Sequence, residues 1–512
     1  MQTPVDVDPV VLIAAALLAA GVLVAWVTRW VRVPGSLLFL ALGMLVADDG
    51  LGLVRFDDPT MAGNLGVLAL IVILFEGGLT TKPSDLRRAA APGIALATAG
   101  VAITAGVTAG VVHLLLGVDL LTAALVGAVV ASTDAAAVFD LLRKAPLPPR
   151  LAAVLRVESG ANDPVAIALT IGLLELWAGT GSPQRVALFA LAQLVGGLLV
   201  GGAIGYAGAF LLRHVELGTD TLYPVLALAT GGLAYGSAAQ LGASGFLATF
   251  VAGMVVGAFV PRRRRGIQGF HAGLASVADI GLFLVLGLLV FPSRLPGVAL
   301  SALAVAGALT FIARPLAVLA TAAPARDIGW RESLVLGWTG LRGAVPIVLA
   351  TFPFAVGHPA AQDIFDVVFF VVLVSTLLQG ATVTPLVRRL GLAADRPGWA
   401  PVAEALPLEG VDVDLVEVSL SSDLPIANQQ LQDVPLSHGM TVVTIVRGAH
   451  AVIPRGSTRL LPGDLVLLAV EPQAGAAQRA TAWARGEVHR KDGHHQQEGG
   501  ASAPPLSSGR ET

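Results

Sequence analysis

Long apolar stretches follow one another along most of this chain, and they constrain its fold more than any other feature. Between Val10 and Leu390 the stretches run for about 18 to 26 residues each, enough for a helix to cross the roughly 30 Å hydrocarbon core of a bilayer. The chain is 55% hydrophobic and 13% charged, whereas soluble domains are about 25% charged. This pattern excludes a soluble globule and a disordered chain. It predicts an all-α polytopic membrane protein.

The stretches predict about thirteen transmembrane helices. Two close pairs leave the count open, because Gly117 and Val118 alone separate spans four and five, and spans eight and nine meet around Gly242. The predicted spans are 10–30, 34–53, 61–80, 91–116, 119–142, 151–177, 186–212, 221–240, 243–260, 270–292, 296–321, 332–353 and 362–388.

Basic residues predict the orientation, because short cytoplasmic loops carry an excess of Lys and Arg. If the N-terminus lies outside, seventeen Lys and Arg fall in inner loops or at inner span ends, and three fall outside. An odd number of spans then places the C-terminus in the cytoplasm. The first span lacks a basic leader and a small-residue cleavage site, which favours an uncleaved first helix. We therefore expect a multi-pass protein of the cell inner (plasma) membrane, with the lipid bilayer as its surroundings.

The composition changes after Arg396. Short alternating or β-branched segments at 411–420, 440–447 and 464–470, with a Pro-Gly turn before the last, are typical of strands. They predict a transmembrane domain at 1–395 followed by a small cytoplasmic α/β domain at 402–475. The polar, Gly- and Ser-containing sequence at 480–512 is typical of a disordered tail.

Ionisable residues deep within spans are the candidates for function, because each costs several kcal/mol at mid-bilayer unless it is paired or hydrated. At a helical rise of 1.5 Å per residue, Asp163 lies about 18 Å along span six, close to the midplane. By the same estimate Asp134 lies about 12 Å from the inner end of span five, and Arg342 lies about 15 Å along span twelve. Three spans thus bring charge to one level.

Spans five and twelve also carry helix-weakening sequences, at 131–136 and at 337–346. Interrupted helices in corresponding positions indicate a transporter built from inverted repeats, and five and twelve differ by the seven that a 6 + 1 + 6 arrangement requires. At such breaks Asp134 could offset positive N-terminal helix ends, and Arg342 negative C-terminal ends.

Span six contains Glu158-Ser-Gly-Ala-Asn-Asp-Pro164. In a helix Glu158 and Asn162 share one row, and Ser159 and Asp163 share the next. One row can anchor Arg342, and the other can present a carboxylate and a hydroxyl to a cation. Pro164 frees a backbone carbonyl near Gly160, which is another oxygen that could face an ion.

This combination of motifs resembles the monovalent cation:proton antiporters of the NhaP and eukaryotic sodium/proton exchanger type, over residues 10–390. The resemblance implies that Asp163 binds the monovalent cation and the proton, that Ser159 and the Thr133 region complete the site, and that Asp134 supports the crossing. It assigns Glu158, Asn162 and Arg342 to a structural polar cluster. It also implies a homodimer without a cofactor, and the Asn-Asp pair implies electroneutral exchange of one cation for one proton.

The segment at 402–475 resembles the TrkA-C type regulatory domain of potassium channels and transporters, with Gly463-Asp464 before its last strand. Together the two parts are similar to the potassium/proton antiporter branch called NhaP-like or CvrA. This implies K⁺ as the favoured cation, with Na⁺ as an alternative, and a small regulatory ligand. No Gly-x-Gly-x-x-Gly dinucleotide domain precedes the segment.

Several readings stay open. Asp163 could be a structural partner for Arg314 or Arg342, and Glu76 and Asp279 are less certain site residues, because each could face water without binding ions. A gated cation channel or uptake subunit would carry a similar C-terminal domain. A membrane enzyme is the weaker rival, since no His or Lys in span six would activate Ser159.

Two further features narrow the function. The absence of cysteine excludes thiolate metal sites and thiol catalysis. The sequence has no basic cluster interleaved with aromatic residues, so we do not expect nucleic acid as a partner.

Overall fold

A computed structural model describes residues 7–27, 34–81, 91–134, 138, 147–260, 264–322, 328–392, 402–407, 414–448, 450–471 and 476–487. The predicted tail at 480–512 lies outside these ranges from residue 488 onward, and so does most of the C-terminal part of the span predicted at 119–142. The chain divides into two compact units, Met1–Ala394 and Asp395–Thr512.

The first unit is helical, as predicted, and every predicted span contains a helix. Within the described ranges, six helices are long and apolar enough to cross a membrane, and several shorter apolar helices accompany them. The number of crossings stays a prediction. The helices are α1 Val7–Val27, α2 Gly35–Val46, α3 Pro59–Thr80, α4 Ala91–Leu116, α5 Leu120–Ala131, α6 Pro149–Trp177, α7 Pro183–His214, α8 Leu222–Gln240, α9 Gly245–Phe259, α10 Arg264–Leu288, α11 Pro292–Thr321, α12 Trp330–Trp338, α13 Ala344–Leu349 and α14 Ala361–Arg389.

Local signals separate the two close pairs of spans. Helix α4 ends at Leu116, and the next residue, Gly117, has a left-handed φ of 63°. Asp119 then caps α5 by accepting hydrogen bonds from Leu121 N and Thr122 N, both at 3.0 Å. Between α8 and α9, Gly242 has a φ of 69° and Ser244 caps the next helix. Each close pair of spans is therefore two separate helices, because a left-handed glycine follows the first helix and a side-chain oxygen caps the N-terminus of the second.

The helices form two bundles. In the first, α2, α3, α7, α8, α9 and α10 pack on one another; in the second, α4, α5, α6, α11, α12, α13 and α14 do. Glycines bring α3 and α9 together in the first bundle, since a Cβ at Gly78 would meet the carbonyl of Phe250 and one at Gly253 that of Phe75. The two bundles meet where α6 lies against α3, α7 and α9 and where α13 lies against α3 and α10.

Two helices of the second bundle contain a π-helical turn, at Leu96–Gly100 in α4 and at Leu309–Ala313 in α11. Each π turn inserts one extra residue and changes which side chains face inward, and such turns are frequent at functional sites. Like spans five and twelve, spans four and eleven differ by seven, as corresponding members of inverted repeats do.

The second unit contains the predicted α/β domain. Its antiparallel sheet has the strand order β1-β2-β5-β3-β4. The predicted segments at 440–447 and 464–470 correspond to β3 and β5, and the segment at 411–420 contains β2. The strands are β1 Val402–Pro407, β2 Asp414–Ser419, β3 Met440–Arg447, β4 His450–Val452 and β5 Leu465–Val470.

A final helix, α15 (Ala476–Ala484), extends this domain. Its Ala480, Trp483 and Ala484 are fully buried in the same apolar cluster as the inner face of the sheet. The predicted domain boundary at 475 is therefore too early, and the first residues of the predicted polar tail belong to the folded domain. Periodicity missed this helix because it has only nine residues, most of them alanine, which gives little apolar pattern.

Candidate ion-binding site

Two helix breaks cross near the middle of the second bundle. Helix α5 ends at Ala131 and residues 132–134 are not helical, while α12 ends at Trp338 and α13 begins at Ala344. The backbone N–H of Asp134 donates to the carbonyl of Leu341 at 2.8 Å, which joins the two breaks directly. The prediction of two interrupted crossing helices is confirmed.

Arg342 lies at the carbonyl end of α5. Its Nη1 donates to the carbonyl oxygens of Ala131 and Ser132, at 2.8 and 2.7 Å, and the residue is 1% exposed. Thr376 of α14 donates to the Arg342 carbonyl at 2.6 Å and holds this break from the other side. The guanidinium thus lies at the negative end of a helix, as its charge sign led us to expect.

Asp134 lies at the opposite kind of helix end. Its carboxylate packs against Gly343, directly before α13, and a Cβ at Gly343 would overlap it. Only glycine allows this approach. The carboxylate therefore lies beside the N-terminal end of α13, where a negative charge is favourable.

Asp163 is 2% exposed and lies in the middle of α6. The Ser132 hydroxyl donates to its Oδ1, and the Asn162 amide donates to the Thr133 hydroxyl, so two consecutive residues of α6 meet two consecutive residues of the α5 break. The Asn162 carbonyl oxygen is buried and accepts no hydrogen bond from the residues that the structure describes. Carboxylate, hydroxyl and amide oxygens thus lie together in a buried site, and these are hard ligands for a cation.

The hydroxyl that contacts Asp163 was not the one singled out in the sequence. Ser159 is buried one turn earlier on α6, but the hydrogen bond to Asp163 comes from Ser132. The Ser-Thr-Asp sequence at the α5 break contains the Ser132 hydroxyl that contacts Asp163. Helical spacing favours Ser159 instead, because such spacing relates only residues of the same helix. A role for Ser159 in the site stays a prediction.

Glu158 pairs with Arg314, a residue that the predicted polar cluster did not include. The Arg314 Nη1 lies 2.5 Å from Glu158 Oε1, both side chains are at least 96% buried, and Nη2 donates to the Leu336 carbonyl at 3.1 Å near the end of α12. Glu158 therefore contacts Arg314 directly, and its charge also acts on Arg342. The predicted polar cluster of Glu158, Asn162 and Arg342 stays a prediction. Arg314 directly follows the π turn of α11, and the change of phase at that turn cannot be read from periodicity.

The two less certain carboxylates lie on helices of the first bundle. Asp279, on α10, is half-buried and close enough to Asp134 for their charges to interact, and Asp134 and Asp163 also interact in this way. Glu76, on α3, is half-buried one turn from the C-terminal end of its helix, where its carbonyl accepts a hydrogen bond from Thr80 at 3.2 Å. Neither role is tested by this geometry.

A buried carboxylate at the crossing of two broken helices defines a class of membrane protein. Unwound segments expose backbone dipoles and oxygen ligands at the midplane, which is how secondary transporters bind coupling ions between their repeats. The fold and site therefore define an ion-coupled secondary transporter.

Residues 14–389 match the family model described as sodium/hydrogen exchanger, transmembrane, and residues 415–480 match the TrkA-C domain. The chain belongs to this sodium/hydrogen exchanger family and carries a TrkA-C domain. The resemblance inferred from the motifs is confirmed.

Three relatives that are named antiporters align with most of this chain. It is 37% identical over 464 residues to the K⁺/H⁺ antiporter NhaP2 of Shewanella oneidensis, covering 89% of this chain and 80% of that protein. It is 36% identical to the K⁺/H⁺ antiporter NhaP of Alkalimonas amylolytica, covering 90% and 80%. The Na⁺/H⁺ antiporter NhaP of Pseudomonas aeruginosa is 30% identical, covering 74% of this chain and 96% of that protein.

Among solved structures, the sodium proton antiporter MjNhaP1 from Methanocaldococcus jannaschii at pH 8 has the same fold. The TM-score is 0.66 at 23% sequence identity, and the match covers 74% of this chain and 98% of that one.

Proposed function

We propose that this protein exchanges K⁺ for H⁺ across the cell membrane, with Asp163 as the group that binds both in turn. The observation that carries the proposal is the setting of Asp163, which is buried at the helix crossing and accepts its hydrogen bond from a neutral hydroxyl. K⁺ is favoured over Na⁺ because relatives that align across the membrane unit and the C-terminal domain are named K⁺/H⁺ antiporters.

Competition at one carboxylate accounts for the coupling. Asp163 must release its proton before it can hold a cation, so the two ligands exclude each other. Movement of one bundle relative to the other would expose the site to each side of the membrane in turn. The expected stoichiometry is one cation for one proton, which is electroneutral.

The remaining features of the proposal concern assembly and control. We expect a homodimer in the inner membrane, with the N-terminus outside and the C-terminal domain in the cytoplasm, supported by the excess of Lys and Arg in the predicted inner loops. A TrkA-C match at 415–480 supports a small regulatory ligand for that domain.

The test uses purified protein in liposomes that contain a fluorescent pH indicator. Addition of K⁺ or Na⁺ outside should drive proton efflux in the wild type, whereas choline should not. Asp163→Asn should reduce this flux to the level of empty liposomes. The matched control is Asp363→Asn, which removes an exposed carboxylate at the start of α14 and should leave the flux unchanged.

The permeant anion thiocyanate separates exchange from conduction. It collapses the membrane potential, so a cation channel could no longer drive protons through the potential. An electroneutral exchanger should transport at the same rate with and without thiocyanate. Robust cation-driven proton flux in Asp163→Asn would contradict the assignment of the site.

A further inference from the structure

A cavity of about 520 Å³ lies between the two bundles, beyond the site already described. It is lined by α3 of the first bundle and by α6 and the chain after α13 of the second. Its polar lining includes Asn64, Thr180 and Thr351, and Glu175 carries the one charge among the described lining residues. At about 30 Å³ per water molecule, the cavity has room for a cation with its hydration shell.

The cavity lies along the same helix face as Asp163. Ile171 and Leu174 line it and lie eight and eleven residues beyond Asp163, about 12 and 16 Å along α6. Eleven residues at about 100° each return to within about 20° of the same direction. The cavity therefore points along α6 toward the carboxylate, from the end of the helix that the predicted orientation places outside.

Close packing at two glycines joins the walls of the cavity. A Cβ at Gly63 would lie 2.6 Å from the Thr351 hydroxyl, and one turn deeper a Cβ at Gly66 would lie 2.7 Å from Val348 Cγ2. These contacts join α3 to the α13 segment across the bundle boundary.

We propose that the cavity is the outer vestibule of the ion route and that Glu175 attracts monovalent cations to it. The inference rests on the proposed exchange function and on the predicted orientation, and it adds a cation-attracting residue outside the buried site. A carboxylate at the mouth of a largely apolar cavity raises the local cation concentration by electrostatic attraction, and added salt screens this effect.

The first test uses the absence of cysteine from the chain. Single-cysteine variants Asn64→Cys and Ala355→Cys, which place a thiol in the cavity lining, should react in intact cells with a membrane-impermeant cationic thiol reagent. Leu300→Cys is the matched control, since this side chain is 84% exposed on the apolar surface of α11 and should stay unreactive in lipid. Two unreactive cavity cysteines, or reaction from the cytoplasmic side only, would overturn the proposal.

The second test measures Glu175→Gln in right-side-out and inverted membrane vesicles. The half-saturating K⁺ concentration should rise about two- to threefold on the outer face, with no change on the inner face or in maximal rate. The difference in half-saturating K⁺ concentration between Glu175→Gln and the wild type should disappear as the choline chloride concentration is raised, because salt screens the carboxylate charge. A structural effect of the substitution would not depend on salt in this way. Asp57→Asn, an exposed carboxylate in the loop before α3, should leave both faces unchanged.

The same vesicles separate failure of this proposal from failure of the proposed function. If the wild type exchanges K⁺ for H⁺ and Asp163→Asn does not, the function stands whatever Glu175→Gln does. An unchanged half-saturating concentration in Glu175→Gln, or an equal rise on both faces, would then contradict the vestibule alone.

Discussion

Two carboxylates on α6, five residues apart, lie in opposite environments. Glu158 is in direct contact with Arg314, so a fixed positive charge compensates its own charge. Asp163 accepts a hydrogen bond from the neutral Ser132 hydroxyl and forms no ion pair within the described part of the chain. Both side chains are almost fully buried.

The difference separates a structural charge from an exchangeable one. A buried carboxylate with a permanent counter-charge has no need of a proton or a cation, and breaking such a pair is strongly destabilising. Asp163 has no such contact within the described residues: the charge of Arg342 acts on it without an ion-pair contact, and the charge of Asp134 opposes that effect. Burial therefore favours uptake of a positive ligand by Asp163. Each prediction below tests this distinction, in decreasing order of expected effect.

Replacement of Asp163 by Asn should abolish exchange while leaving the protein folded. The amide is nearly isosteric and can still accept the Ser132 hydrogen bond, but it carries no charge for a cation or proton to neutralise. We expect at least a hundredfold loss of K⁺-driven proton flux with an unchanged melting temperature in detergent. In the wild type, exchange should fall as the pH is lowered, because protons displace the cation from the carboxylate.

Replacement of Arg314 by Met should act on stability. It leaves Glu158 buried without its partner, which typically costs about 3–5 kcal/mol. The double variant Glu158→Gln/Arg314→Met removes both charges and should recover much of that loss. Thermal unfolding of the wild type, the single variant and the double variant measures this difference. Equal destabilisation of the single and double variants would mean that the unpaired Glu158 charge does not cause the loss of stability.

Removal of the Ser132 hydroxyl should weaken cation binding without preventing exchange. A hydrogen bond to a charged group is worth about 1.5–3 kcal/mol, so Ser132→Ala should raise the half-saturating K⁺ concentration about tenfold or more. Ser159→Ala is the matched control on α6 and should have the smaller effect. A larger rise of the half-saturating K⁺ concentration in Ser159→Ala would instead favour Ser159 as the hydroxyl of the ion-binding site.

Asp464 extends the comparison to the C-terminal domain, where water is close. Arg447 contacts both carboxylate oxygens at 2.8 Å, and Leu461 N–H also donates to the carboxylate. Burial opposes ionisation of Asp464, but the Arg447 and Leu461 hydrogen bonds outweigh burial and lower its pKa.

Because the folded pKa is lowered, this aspartate stabilises the domain above its unfolded pKa of about 3.9, and the contribution is lost as the pH falls through the folded value. Protease resistance of the C-terminal domain in the full chain should therefore decrease below about pH 4. Asp464→Asn should be less resistant than the wild type at neutral pH and should differ less in acid. A constant difference across this pH range would rule out the linkage.

Sequence periodicity predicted the helices well, because each apolar stretch must satisfy its backbone hydrogen bonds internally in a membrane. It also located Asp163, Asp134 and Arg342, since charges are rare and costly at mid-bilayer. It did not find the contacts of Ser132 and Arg314. The first depends on an extended segment at a helix break, and the second on a π turn, and neither follows a helical period.

The sequence by itself therefore determined that this protein is a polytopic membrane protein with broken helices, a buried carboxylate and a separate C-terminal domain. These features depend on local hydrophobicity, helix propensity and the cost of burying charge, which act along the chain. Only the tertiary structure decided which charge meets which partner. Glu158 and Asp163 share one helix and similar burial, and the segments packed against them from α11 and the α5 break make one carboxylate structural and leave the other to exchange its ligand.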